Sequence, residues 1–242
     1  MANSFRVHTA LCATLVFLLQ SQPAPAAPWL PLGLGTRWEY RGVAGAHQVE
    51  TITGTRVIHG RTVSVKQYAE GPDAGLENYW LLDADGSVLL AGFNNPSAAL
   101  AYAYEPPIRM LPVPPAIGPG VEVQTTIHDL FTDAVLNVFY LRFDVSEHVQ
   151  LALPAGSFDT FGVGQAIMLP ISQLGGGRTL ALDGRTLAPS DKSIFLVNTS
   201  DWYAEGVGDV QYIAGDCYQL VSFGLPTPTA RASWTAIKHL YH

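Results

Sequence analysis

The chain has 242 residues, of which 48% are apolar and 14% charged, with a formal net charge of −7. That length supports one large core, or two small ones. The acidic balance, with no basic stripe, excludes nucleic acid and anionic membrane surfaces as natural partners.

The N-terminus opens with Arg6, then the apolar run "ALCATLVFLL" from Ala10 to Leu19, then "QSQPAPAAPW" with Ala24-Pro25-Ala26 as an A-x-A site. Charge, apolar run and small-residue site in that order predict a secretory signal peptide over 1–26. The apolar run is about 10 residues, against the ~20 a spanning helix needs. Cys12 lies inside it with no Leu-Ala-Gly-type box before it, so it is not read as a lipidation site. Cleavage leaves Cys217 alone, so no intrachain disulfide is expected, and a small buried hydrophobe is the ordinary role of such a cysteine. No later segment is long and apolar enough to span as a helix. The expected product is exported, periplasmic or extracellular, and is not an integral membrane protein.

Over 27–242 the dominant period is two, which describes antiparallel strands with one wet face. In "TRWEYR", Trp38 and Tyr40 oppose Arg37, Glu39 and Arg41. In "VEVQTTIH", Val121, Val123 and Ile127 oppose Glu122, Gln124 and His128. In "NVFYLRFDV", Phe139, Leu141, Phe143 and Val145 oppose Tyr140, Arg142 and Asp144. Hairpin turns are predicted at His59-Gly60, Asp85-Gly86, Pro154-Ala155-Gly156 and Asp183-Gly184. "NPSAALAYAY", Asn95 to Tyr104, is the best helix candidate, because Pro96 suits a first turn and Pro106-Pro107 would stop it. The six prolines of 105–120 fit neither helix nor central strand. They are read as a crossover within one β-rich domain in preference to a linker between two. Residues 173–184 read as a flexible hairpin.

Chemical motifs fail one by one. Gly206-Val207-Gly208 lacks the third glycine of a dinucleotide loop, and strand-like "DVQYIAG" follows where a helix is required. Gly175–Thr179, "GGGRT", has Ser172 where a phosphate loop needs its first glycine and Arg178 where it needs lysine. The histidines outside the signal peptide, His47, His59, His128, His148, His239 and His242, show no H-E-x-x-H spacing. His128-Asp129 reads as a solvated pair. Ser157 is not in a G-x-S-x-G elbow. Asp144, Glu147 and Asp159 cannot be told from solvated carboxylates, and Asp73, Asp83, Asp85 and Asp183 have turn roles. No metal, cofactor or catalytic residue is assigned, and the expected protein is not an enzyme. Gly206 and Gly208 are read as a turn or bulge at a strand start.

Aromatic enrichment is the remaining signal. Trp38, Tyr40, Phe139, Leu141 and Phe143 are the candidate ligand-lining residues. Core packing is the default for such rows, and a curled sheet that leaves its concave side unfilled would turn them into a groove wall.

Three segments carry a resemblance: "PLGLGTRWEYRG", "VSEHVQLALPAGSFDTFGV" and "WYAEGVGDVQY". In this order the chain resembles secreted bacterial proteins of the DUF3108 and TapB-like type, linked to the lipoprotein-carrier (LolA/LolB-like) architecture. The resemblance implies a curved antiparallel half-barrel, clasped by one short helix or a crossover segment. It carries over no catalytic residue. The inserted "GGGRTLALDGRTLAPS" departs from the pattern. The expectation is an envelope protein that binds an apolar small molecule or lipid-like group. The alternatives are a module that docks on another envelope protein through a sheet edge, and a hydrolase with an unrecognised site.

Overall fold

A computed structural model describes residues 27–170, 181–182, 185–186 and 192–226. Residues 1–26, read above as a signal peptide, most of residues 173–184, read as a hairpin, and His239 and His242 lie outside these.

Among the described residues fourteen strands follow one another. They are β1 (Arg37–Gly42), β2 (His47–Ile58), β3 (Arg61–Glu70), β4 (Glu77–Leu82), β5 (Val88–Asn95), β6 (Leu100–Leu111) and β7 (Val123–Asp129). Then come β8 (Val135–Leu153), β9 (Gly156–Pro170), β10 (Ala181–Leu182), β11 (Arg185–Thr186), β12 (Lys192–Ala204), β13 (Gly208–Ala214) and β14 (Asp216–Gly224). All but β10 and β11 form a closed antiparallel barrel in which each strand pairs with its sequence neighbour and β12 pairs with β9. The two short strands pair with each other outside it.

This corrects the expected half-barrel. β1 is hydrogen-bonded to β2 along one side and to β14 along the other, so first and last strands meet and the ring has no edge strand. The expected helix is also absent. Pro96–Ala98 forms one 3₁₀ turn, the Asn95 carboxamide oxygen accepting from the Ala98 amide at 3.2 Å, and Ala99 ends it in a left-handed conformation (φ +52°). After it, Tyr102 and Tyr104 point inward onto Phe93, and Leu100–Leu111 is strand β6. Alternation of aromatic rings with Ala101 and Ala103 overrode the local helix signals.

The proline-rich segment divides. Pro106 and Pro107 lie inside β6, where pairing to β7 stops at Glu105 and pairing to β5 is interrupted between Ala103 and Ile108. Proline has no amide to lose there. Thr125 donates to the Pro106 carbonyl at 2.7 Å. The remainder, 112–122, connects β6 to β7. Val121 precedes β7 and is exposed, so the inward row of that strand is Val123, Thr125 and Ile127.

The inner faces supply one core that includes Trp38, Tyr40, Ile52, Trp80, Phe139, Leu141, Phe143, Val210 and Leu220. Tight turns with positive φ sit at His59-Gly60, Gly86 and Gly156, as the sequence predicts. Asp183-Gly184 lies outside the described residues, between the paired β10 and β11.

Two features shape the barrel's surroundings. Residues 27–34 cross one end. The Gly206 amide donates to the Pro28 carbonyl at 3.1 Å, Ser64 donates to the Leu32 carbonyl at 3.3 Å, and Leu30 is buried between. Also, β3 pairs with β4 only over Ser64–Gln67, so the tip of the β2–β3 hairpin extends past β4. It packs over the outer face as a second cluster, Ile58 and Val63 against Tyr79, Ala91 and Ala103. Alanines on β5 and β6 leave room for that flap.

Candidate functional site

Inside the barrel lies a cavity of about 270 Å³ that runs from Leu30 toward the β3–β4 loop, at Asp73 and Leu76, and the end of β13, at Ile213 and Ala214. Apolar side chains, including Leu76, Leu90, Phe93 and Met110, form much of its wall. Lys66, Tyr68, Asp73, Asn78, Asp201 and Asp209 add polar groups.

The local ladder explains why charges face inward. Lys66 pairs with Ile52 on β2 and with Asn78 on β4, two inward positions. Asp201 pairs with Tyr212, and Tyr203 with Asp209. Between those pairs the register slips, leaving Val210 as an extra residue. This β-bulge sets both Asp209 and Tyr212 toward the cavity, although strict alternation would separate them.

Lys66 is the centre of the charged group. Its Nζ lies 2.6 Å from Glu50 Oε2, with the two side chains 5% and 1% exposed. The same Nζ sits 5.5 Å from the ring centres of Trp38 and Trp80 and 5.8 Å from that of Tyr68. Three aromatic faces therefore stabilise a desolvated cation. Behind it, Gln48 Nε2 donates to Glu50 Oε1 at 3.1 Å and to the Tyr212 hydroxyl. Tyr40 donates to the Asp209 backbone carbonyl at 2.8 Å, and its ring meets Tyr212 edge-on at 5.1 Å.

Against this single lysine the described cavity residues set Asp73, Asp201 and Asp209, with Glu50 behind. Burial pushes the Asp201 carboxyl up to about 7, Lys66 opposing the rise and Glu50 adding to it. Burial also pushes Asp209 well above the usual carboxylate range, with Asp201 and Glu50 adding and Lys66 opposing. Asp73 is raised by burial and then by Glu50. Burial thus favours the protonated form of each of these carboxyls, and a nearby cation would favour the ionised form. Three buried polar atoms in this region, Asp209 Oδ1, Trp80 Nε1 and Gln48 Oε1, have no hydrogen-bond partner among the described residues, and Glu50 Oε2 has only its ion pair with Lys66.

The five lining residues expected from sequence lie elsewhere or behind the wall. Trp38 and Tyr40 are fully buried beside the charged group, Trp38 Nε1 donating to the Val207 carbonyl at 2.6 Å. Phe139, Leu141 and Phe143 pack in the core, and the last two border a crevice of about 10 Å³. The sequence reading missed Lys66, Asp201 and Asp209. Asp201 and Asp209 both belong to the "DWYAEGVGDVQY" stretch read there as turn chemistry. Gly206 (φ +76°) and Gly208 (φ +94°) do form the β12–β13 turn, and a Cβ on Gly208 would stand 2.6 Å from Leu30 Cδ1.

The other chemistry candidates are dispersed. His148 pairs with Asp159 at 2.8 Å and stacks on Phe161, while Ser157 pairs with Ala152 at the far end of the same hairpin. Asp144 is held by Arg142 at 2.8 Å, and Glu147 accepts from Trp202 Nε1 at 2.7 Å. Cys217 is a free thiol, half-buried, with its pKa raised by burial and then by Asp216.

No family model matches the chain and no curated protein matches it, so the likeness to DUF3108, TapB-like and LolA/LolB-like proteins stands on its short motifs. Two solved structures are similar. One is a candidate lipoprotein from Parabacteroides distasonis, with TM-score 0.37 and 13% identity, covering 83% of this chain and 100% of that one. The other is a candidate exported protein with a YmcC-like fold from Bacteroides fragilis, with TM-score 0.35, 12% identity and the same coverage. At that degree of overlap neither transfers a property to this chain. No described helix is long and apolar enough to cross a membrane.

Proposed function

We propose that the protein is a non-enzymatic, exported envelope protein that holds a small amphiphile with a cationic head inside its barrel. The observation that carries this reading is the unpartnered, buried Asp209 Oδ1 in an aromatic-walled cavity whose carboxylates outnumber its lysine. A buried polar atom without a partner costs free energy, and a ligand donor would supply the missing bond. An ammonium would also favour the ionised forms of Asp201 and Asp209, which burial disfavours. The apolar wall takes the remainder of the molecule. The volume of about 270 Å³ lies at the lower edge of small-molecule pockets, which run from ~300 to ~1,000 Å³. It suits one short chain and is too small for a whole multi-chain lipid. Export rests on the signal-peptide pattern of residues 1–26.

Calorimetric titration with octylamine and octanoate tests the reading. Octylamine should bind at one site at least ~10-fold more tightly than octanoate, and Asp209→Asn should remove most of the difference, about 1.4 kcal/mol per tenfold. Equal binding of the two probes, or none of either, would reject it. Docking through a free sheet edge finds no support in the barrel, because every barrel strand is hydrogen-bonded on both sides.

A further inference from the structure

We propose that His59, His128 and Asp133 form a binding site for a zinc-class divalent cation on the outer face of the barrel, independent of the internal cavity. The three residues come from separate places in the chain. His59 is in the β2–β3 turn (φ +46°), His128 near the end of β7, and Asp133 in the β7–β8 turn (φ +61°). Their ligand atoms all lie within 4.8 Å of one another.

The three side chains converge on one point. His59 Nε2 lies 2.9 Å and His128 Nδ1 3.2 Å from the same oxygen, Asp133 Oδ1. The two rings meet edge to face, 4.8 Å between centres. Zinc with bonds of about 2.0–2.2 Å holds tetrahedral ligand atoms about 3.3–3.5 Å apart, so shifts of a few tenths of an ångström in the two Asp133 contacts bring them to that spacing. Two imidazoles and one carboxylate make a donor set suited to zinc, with a fourth position left for water. A cavity of about 280 Å³, bordered by Arg56, His59, Phe131 and Asp133, lies beside the cluster and has room for that water.

A second observation separates this cluster from a chance ion pair. The remaining nitrogen of His59, Nδ1, faces Glu105 Oε2 at 3.1 Å, and Arg61 Nη2 holds the other Glu105 oxygen at 3.3 Å. A carboxylate on the far nitrogen fixes the tautomer and ring direction of a metal-bound histidine and strengthens it as a ligand. His59 and His128 are half-buried and Asp133 is exposed, so the ion has a way in. A bound cation would bolt the tip of the β2–β3 flap to the β7–β8 turn, joining segments that the barrel ladder leaves apart.

The test is titration of untagged, metal-stripped protein with zinc chloride, followed by cobalt(II) absorption and thermal melting. One equivalent should bind with micromolar or tighter affinity. Cobalt should give the visible bands of low coordination, and zinc should raise the melting temperature. Asp133→Asn, which keeps an asparagine tolerant of positive φ, should weaken binding at least ~10-fold. His59→Ala should abolish binding, and Glu105→Gln should weaken it ~10- to 100-fold. A His239→Ala/His242→Ala variant should bind like the parent. Absent binding, binding unchanged in Asp133→Asn and His59→Ala, or binding lost with His239 and His242 would each overturn the proposal.

Discussion

Strands β8 and β13 carry the same two-residue alternation and put it to different uses. In β8 the row Phe139, Leu141, Phe143, Val145 is unbroken and entirely apolar, and it packs solid. In β13 one extra residue, Val210, breaks the row, and an aspartate then shares the interior with tyrosines. In β8 the unbroken period builds core, while in β13 the bulge adds Asp209 to a cavity where ordinary alternation already turns Lys66 inward.

The largest expected effect tests the packed side. Phe139→Ala should cost about 3–5 kcal/mol of stability in denaturant unfolding, since a closed wall cannot collapse onto the gap. A loss under ~1 kcal/mol would mean that β8 is not the packed side. At the charged end, Lys66→Met should cost a comparable ~3–5 kcal/mol, because it leaves Glu50 buried and unpaired. Lys66→Met with Glu50→Gln should recover most of that loss, and a double variant no more stable than the single would show that the pair does not act as a unit. Gly208→Ala should cost about 1–3 kcal/mol, since it meets both a positive φ and Leu30.

Asp201→Asn sharpens the comparison through pH. The folded carboxyl titrates at about 7 and its ordinary value is 3.8, so the folded state binds the proton more tightly. Asp201 therefore favours folding below pH ~4 and loses that advantage as pH rises through about 7. Asp201→Asn should match the parent below pH ~4 and become progressively more stable above it, by melting temperature. A constant difference across pH would refute the assignment. The smallest effect belongs to the wet face of β8. Arg142→Ala removes a partly exposed pair with Asp144 and should change stability by about 0–1 kcal/mol.

Much of this fold was legible in the sequence, and the reason is visible in β1 and β8. There the wet and buried residues alternate through Arg37–Gly42 and Phe139–Val145, and the turns at His59-Gly60 and Asp85-Gly86 carry their own signals. Closure was not legible, because pairing of Arg37–Gly42 with Tyr218–Gly224 joins residues about as far apart as the chain permits, and no local pattern encodes it. Residues 95–104 misled because Pro96 started one turn that Ala99 ended. The acids escaped because Asp209 has the wrong parity beside Val210 and Tyr212 until the bulge is known. Lys66 looked like any strand lysine until Glu50 and three aromatic rings were seen around it.

The most direct test of the internal site is a crystal structure of the protein grown with 8-bromooctylamine, with anomalous diffraction measured at the bromine edge. The account predicts a bromine peak inside the barrel among Leu90, Phe93 and Met110, with the ammonium within hydrogen-bond distance of Asp209 or Asp201. A cavity filled by ordered water alone, or a bromine peak only on the outer surface, would contradict it.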